Sequence, residues 1–520
     1  MNYIILTLRK LSKLLFNRIF YVAFAIILQL GWILMMVWKA AEYSQYISAG
    51  LTVLSLAVIL WLVSRDMNPS YKLGWTLLIT LFPIFGLVFF LLFGESRIAT
   101  AMQKYYEKIQ KFTEPYLTED AEARKELEEK DISAANQSAY IYRNSGFPLC
   151  KNTTAEYFQV GDDMFPVLTS ELEKAEHFIY IEYFIINDGV MWQTILEILE
   201  RKASQGVDVR IIYDGFGCLT TLPYKYEESL REKGIQCQIF NPFRPILNII
   251  QNNRDHRKIC VIDGKTGFTG GINLADEYIN QMERFGHWKD TAIMLKGEGV
   301  WNLTVMFLQM WCVVTGSKDQ FKFNNYLPHK YHKEPFEDDG FVQPFSDTPL
   351  DHEVVGENVY LNIINKAKRY VYICTPYLII DNEMMTALCL AAKSGVDVRI
   401  MTPGIPDKKI VFLLTQSYYA QLIRAGVKIY EYQPGFLHAK SFVCDDEVGV
   451  VGTINLDYRS LYLHFEDGVW LYKNKVIKDI YDDFMQTMGY CKLIDIDFCN
   501  KRSLFVRFLQ SLLRLFAPLL

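Results

Sequence analysis

The ten cysteines of this chain form no Cys-x-x-Cys pair, and no cluster of cysteine, histidine and acid has metal-ligand spacing. Free thiols in a reducing compartment are therefore expected, since 520 residues need no disulfide staples. Positive charge is not in excess either: 54 Lys and Arg against 59 Asp and Glu leave a net charge of −5. A nucleic-acid partner calls for a basic field, so no nucleic acid is expected. Nor does the chain lack apolar material, and at 51% hydrophobic it can fill two or three domain cores, which excludes disorder.

Apolar sequence is concentrated at the front. Residues 19–38, 46–64 and 73–93 carry no charge, and each is near the ~20 residues that cross a bilayer. The first run exceeds the ~7–15 residues of a cleavable signal, so all three are expected to be retained in a multi-pass membrane region, residues 1–96. Basic residues precede the first run (Arg9, Lys10, Lys13, Arg18), separate the second from the third (Arg65, Lys72) and follow the third (Arg97, Lys104, Lys108, Lys111). The positive-inside rule assigns each group to the cytoplasm, and three full crossings cannot satisfy it. Pro83 and Gly86 offer a way out if 73–93 re-enters instead of crossing. The main domain is expected on the cytoplasmic face.

Residues 97–134 are charged and helix-friendly, and read as a solvated connector. Beyond them strand and helix signals alternate, as in an α/β layered fold, and the pattern then repeats. "HFIYIEYFIINDG" (177–189) returns as "RYVYICTPYLIID" (369–381), "SQGVDVRIIYDG" (204–215) as "KSGVDVRIMTPG" (393–404), and "DHRKICVIDGKTGFTGGIN" (255–273) as "LHAKSFVCDDEVGVVGTIN" (437–455). Each copy is too long for a solenoid unit, so two homologous lobes are expected, 135–320 and 345–500, with a polar linker over 321–344. The tail, 501–520, is amphipathic, with Arg507 and Arg514 a heptad apart; it suits either a membrane interface or the surface of the second lobe.

Both copies contain His-x-Lys-x4-Asp: His256, Lys258 and Asp263, then His438, Lys440 and Asp445, with Asn273 and Asn455 at equal spacing downstream. Chance supplies on the order of 0.02 such motifs, so two are a strong signal. In a strand, positions i and i+2 share a face, which aims imidazole and ammonium together. Lysine neutralises phosphoryl oxygens and an asparagine amide donates to them, while two histidines across a pseudo-twofold supply a nucleophile and a general acid. The lysines already provide positive charge, so neither metal nor cofactor is called for.

The duplicated motif, with "HWKDTAIMLKGEGV", "TPYLIIDNEM" and "VGTINLDYRSLYLHFE", resembles the phospholipase D superfamily, and within it the bacterial cardiolipin synthases. The resemblance runs from about residue 50 to the end of the chain. It implies transfer of a phosphatidyl group from one phosphatidylglycerol to another, giving cardiolipin and glycerol, with a hydrolase or a synthase using phosphatidylethanolamine as the alternative. It further implies His256 as nucleophile, His438 as acid and base, and Lys258, Lys440, Asn273 and Asn455 around the phosphoryl oxygens. An acid within each lobe is expected to orient that lobe's histidine, Asp290 for His256 and Glu466 for His438. Asp263 and Asp445 end a strand and are expected to be structural.

Overall fold

Strands buried along their whole length, such as Phe178–Tyr183, Lys258–Ile262 and Tyr370–Cys374, need cover on both faces. In the computed structural model, which describes residues 18–37, 41–93, 97–243, 252–317, 323–351 and 353–519, helices supply that cover over two sheets of one design. The first runs Thr153–Phe158, Ala292–Gly297, Thr266–Gly270, Lys258–Ile262, Phe178–Tyr183, Asp208–Asp214, Gln236–Phe240. The second runs Phe341–Asp347, His464–Tyr472, Val448–Gly452, Ser441–Cys444, Tyr370–Cys374, Asp397–Pro403, Lys428–Tyr432, with Cys491–Ile494 added at the far edge. In both, the central strand pairs parallel with one neighbour and antiparallel with the strand that follows the histidine. The fold is α/β, with the lobe repeated.

Two short strands cross between the lobes. His287–Lys289 of the first pairs with Gly435–Leu437 of the second, and Arg254–Asp255 of the first pairs with His464 and Phe465 of the second. This exchange joins the lobes into one unit, Met102–Phe243 with Asn253–Ser511.

One expected boundary shifts, and one expected segment changes character. The strand Phe341–Asp347 begins inside the stretch assigned to the linker, because Phe341 and Val342 are buried and pair with Tyr472 and Leu471. The connector is not a solvated spacer: Tyr106 and Ile109 on the helix Arg97–Thr113 are buried in the same core as Trp311 and Phe465. An apolar stripe at three- and four-residue spacing seeks a core even on a highly charged helix.

In the membrane region, described as its own unit, helices span Arg18–Val37 and Ala41–Val63, and Tyr46–Val63 is long and apolar enough to cross a membrane. The run 73–93 is not one helix. It breaks at Phe82 into Pro69–Leu81 and Pro83–Phe93, which fold back so that the rings of Trp75 and Phe90 lie 5.1 Å apart. Proline cannot continue the helical ladder, and at Gly86 any Cβ would fall 2.5 Å from the Leu78 carbonyl. Gln29 Oε1 accepts the N–H groups of Ile84 and Phe85 at 3.2 and 3.3 Å, satisfying donors that the turn would otherwise strand. The basic residues 9, 10 and 13 lie outside the described residues.

Candidate active site

Each histidine stands in the gap between a crossing strand and a strand of its own sheet, and its backbone is tied to the opposite lobe. The His256 N–H donates to the Phe465 carbonyl at 2.9 Å, and the His438 N–H to the Lys289 carbonyl at 2.7 Å. Strand alternation turns Arg257, between His256 and Lys258, into the interior, where it is fully buried against Glu182 and 3.1 Å from Asp255.

The acids are crossed. Glu466 of the second lobe meets His256 Nδ1 at 2.9 Å, and Asp290 of the first meets His438 Nδ1 at 2.6 Å. The within-lobe pairing expected from sequence order is therefore corrected. The cause is the strand exchange: Asp290 directly follows the strand that pairs with Gly435–Leu437, and that strand leads into His438. A carboxylate on Nδ1 keeps the proton there and leaves the Nε2 lone pair to the chemistry. Burial holds the His256 pKa well below the usual imidazole value, and burial with Lys440 close by lowers that of His438 to about 4. Burial opposes ionisation of Glu466, but its contacts with His256 and His464 hold its carboxyl well below the ordinary range. Glu466 also accepts from Thr453 Oγ1 and, at 2.6 Å, from Ser460 Oγ. Gly271 occupies the place of Thr453 in the first lobe, and a Cβ there would sit 2.0 Å from Asp290 Oδ1.

Lys258 Nζ donates to the His256 carbonyl at 2.6 Å, and Lys440 Nζ to the His438 carbonyl. Both ammonium groups are buried beside the imidazoles, and that burial lowers their pKa values to about 8 and about 7. Among the charges Lys258 feels are both Glu466 and Asp290, so the two halves converge on it. The asparagines differ. Asn273 is engaged by its scaffold, Oδ1 accepting from the Ile185 N–H at 3.0 Å and Nδ2 donating to Tyr278 Oη at 2.7 Å. The Asn455 side-chain oxygen is buried with no partner.

Asp263 accepts the N–H groups of Glu176, His177 and Phe178 at 2.8–2.9 Å, and Asp445 those of Lys368, Arg369 and Tyr370 at 2.7–2.9 Å. Both sit at positive φ, 51° and 55°, where the chain turns at the strand end. Each carboxylate pins its turn to the start of the neighbouring strand.

The structure adds residues that sequence reasoning passed over. The His464 ring lies tilted 5.5 Å from the His256 ring, and Trp288 and Tyr278 lie 5.7 and 5.6 Å from the His438 ring. His464 and Trp288 are visible in "HFED" and "HWKD", beside the acids. Among the described residues, His256, His464 and Glu466 bring ligand atoms within 4.8 Å of one another. The cationic Lys258 acts on Glu466, whose oxygens are already engaged by Thr453 and Ser460. That environment suits an anionic oxygen better than a second cation.

Comparison with known proteins agrees with this geometry. The family model described as "Cardiolipin synthase, PLD-like domain" matches residues 168–304 and 360–488, and "Phospholipase_D-nuclease N-terminal" matches 50–95. A cardiolipin synthase of Geobacillus kaustophilus is 37% identical over 476 residues, covering 90% of this chain and 92% of its own. One from Halalkalibacterium halodurans is 34% identical over 491 residues, covering 93% and 95%. The crystal structure of a phosphatidylserine synthase from Haemophilus influenzae shares the fold, with a TM-score of 0.55 at 15% identity over 70% of this chain and 93% of that one. The repeated lobes, the paired motifs and relatives matched along almost their whole length place this chain in the bacterial cardiolipin synthase family of the phospholipase D superfamily.

Proposed function

We propose that this phosphatidyltransferase joins two phosphatidylglycerol molecules into cardiolipin and glycerol, and that His256 carries the phosphatidyl group between them. The observation that carries this reading is the crossed pairing of His256 with Glu466 and of His438 with Asp290, which gives two oriented imidazoles in one buried site. Nε2 of His256 attacks phosphorus, and the P–O bond to glycerol breaks. His438, which takes up a proton on Nε2 as the anionic phosphate enters beside it, gives that proton to the leaving oxygen and, neutral again, removes the proton from the hydroxyl of the second lipid as that oxygen attacks and the P–N bond breaks. Lys258 and Lys440 neutralise the phosphoryl oxygens, with the side chains of Asn455 and Asn273 beside them. A lipid acceptor held at the bilayer competes with water through proximity. Purified protein given phosphatidylglycerol in mixed micelles is expected to release one glycerol per cardiolipin, and phosphatidic acid as sole product would refute the transfer.

We read the membrane region as two crossings, 18–37 and 41–63, followed by a re-entrant hairpin over 69–93; of these helices, Tyr46–Val63 is long and apolar enough to span by itself. Gln29 lies near the middle of the first helix, and its bond to the hairpin turn puts that turn at mid-depth. Both ends of the hairpin then face the cytoplasm, as the basic residues on either side of it require. Reporter fusions after residue 70 and after residue 115 should both read cytoplasmic, and an external signal from the second would overturn this.

The helix Leu504–Leu515 presents its apolar side outward. Gln510 faces the protein, donating to the Leu413 carbonyl at 3.1 Å, whereas Leu504, Phe505 and Phe508 are 81%, 73% and 66% exposed. An inverted helix of this kind, with Arg507 along one border, suits the plane of an anionic bilayer. Phe505→Glu with Phe508→Glu is expected to depress turnover on vesicles and spare it in micelles; equal turnover on both would assign the stripe no membrane role.

A further inference from the structure

We infer that His464 is a third catalytic imidazole, donating a hydrogen bond to the phosphoryl group as it moves onto His256. The inference rests on the phosphatidyl-transfer reading. His464 lies with its ring centroid 5.5 Å from that of His256, and its Nδ1 is 3.6 Å from Glu466 Oε1. Its Nδ1 therefore faces the Glu466 carboxylate, while its Nε2 is buried without a hydrogen-bond partner. A buried polar nitrogen left unmatched carries a desolvation penalty, so this imidazole is an unfavourable choice if packing is all that its place requires.

The pseudo-twofold places a different residue, Trp288, in the equivalent position, and its indole Nε1 is likewise buried without a partner. His464 pairs with Arg254 on one crossing strand as Trp288 pairs with Phe436 on the other. The places beside the two reactive histidines are therefore equivalent. Beside His438 stands the Trp288 indole, 5.7 Å away, with Phe436 next to it. Beside His256 stand an imidazole and, at the Phe436 position, Arg254. A second imidazole and Arg254 thus stand on the His256 side along with Phe184, 5.0 Å from its ring, while the His438 ring has Trp288, Phe436 and Tyr278 around it.

The test compares His464→Phe, His464→Trp and His464→Gln in the full-length protein. Readouts are kcat and KM on phosphatidylglycerol micelles, the rate at which phosphohistidine forms in single turnover, and the unfolding temperature. If His464 donates to the transferred phosphoryl, the Phe variant loses about ten- to a hundred-fold in kcat and in phosphohistidine formation, at unchanged unfolding temperature, and the Trp variant loses less because its indole keeps an N–H donor. Gln keeps an N–H donor and recovers most of that loss. If the residue only packs, the order reverses: Phe and Trp behave as wild type and Gln does not, which overturns the inference. Equal activity in all three variants also overturns it. Phosphohistidine formation is scored whatever the final product, so a wild-type enzyme yielding phosphatidic acid would defeat the cardiolipin reading without deciding the role of His464.

Discussion

The two halves of the site share a frame and differ in what lies behind it. Under His256 the strands carry Glu182, Asp255 and Arg257, a buried ionic cluster. The equivalent places under His438 hold Cys374, Leu437 and Ala439. Histidine, lysine and the strand-end aspartate stand in the same relation in both halves, because the backbone register dictates where they point. The interior residue between histidine and lysine is under no such constraint, so an arginine network and an alanine both fill it. Duplication therefore supplies two copies of the reactive frame, and the surroundings set them to unequal tasks.

The sharpest way to break the comparison is to remove each histidine in turn. His256→Ala and His438→Ala should each lower turnover by more than about 10³-fold. Labelled phosphohistidine should accumulate in the second and be absent from the first, and label in His256→Ala would reverse the assigned roles. The crossed acids come next. Glu466→Gln and Asp290→Asn should each cost about 10²–10⁴-fold. Because the pairing is crossed, the second-lobe variant should slow formation of phosphohistidine, and the first-lobe variant should let it form and persist. Opposite phenotypes in rapid-quench experiments would restore the within-lobe pairing.

The interior can be tested by making one half like the other. Arg257→Ala alone leaves Glu182 and Asp255 buried beside no cation and should destabilise by about 3–5 kcal/mol. Adding Glu182→Cys and Asp255→Leu, the residues of the other lobe, should recover most of that in thermal unfolding. A triple variant no better than the single one would show that the cluster has a further role.

The mildest probe is pH. With pKa values near 8 and 7 in the free protein, Lys258 and Lys440 lose their charge as pH rises through that window, and an anionic phosphate needs them charged. Log kcat/KM should steepen its fall as pH rises through this window, each lysine adding up to a tenfold loss per pH unit beyond its own pKa. Lys440→Arg should move the limb upward, since guanidinium stays charged. A profile that stays flat to pH 9 would mean that the lysines do not set binding.

Much of the site was legible in the sequence because it is written in short spacings. The alternation of His256, Arg257 and Lys258 fixes which side chains share a face whatever the rest of the chain does, and its return at His438 marks a duplicated lobe. Asp290 and Glu466 were recognisable as the acids. Their partners were not, because sequence order favours the nearer histidine and the crossing of His287–Lys289 and Arg254–Asp255 reverses that choice. The connector misled for a related reason: its charges are plain in the sequence, but the core that buries Tyr106 and Ile109 draws on residues as distant as Trp311 and Phe465.

By itself, then, the sequence determined the repeated α/β lobes, the paired His-x-Lys motifs and the apolar front, all of them consequences of local periodicity and of composition. Tertiary structure alone decided that Glu466 serves His256, that 73–93 folds back on itself at Pro83, and that His464 stands where the other half has Trp288. Each of these depends on which distant backbone fills a gap in a sheet or a helix turn, and hydrogen bonding across such gaps has no period along the chain.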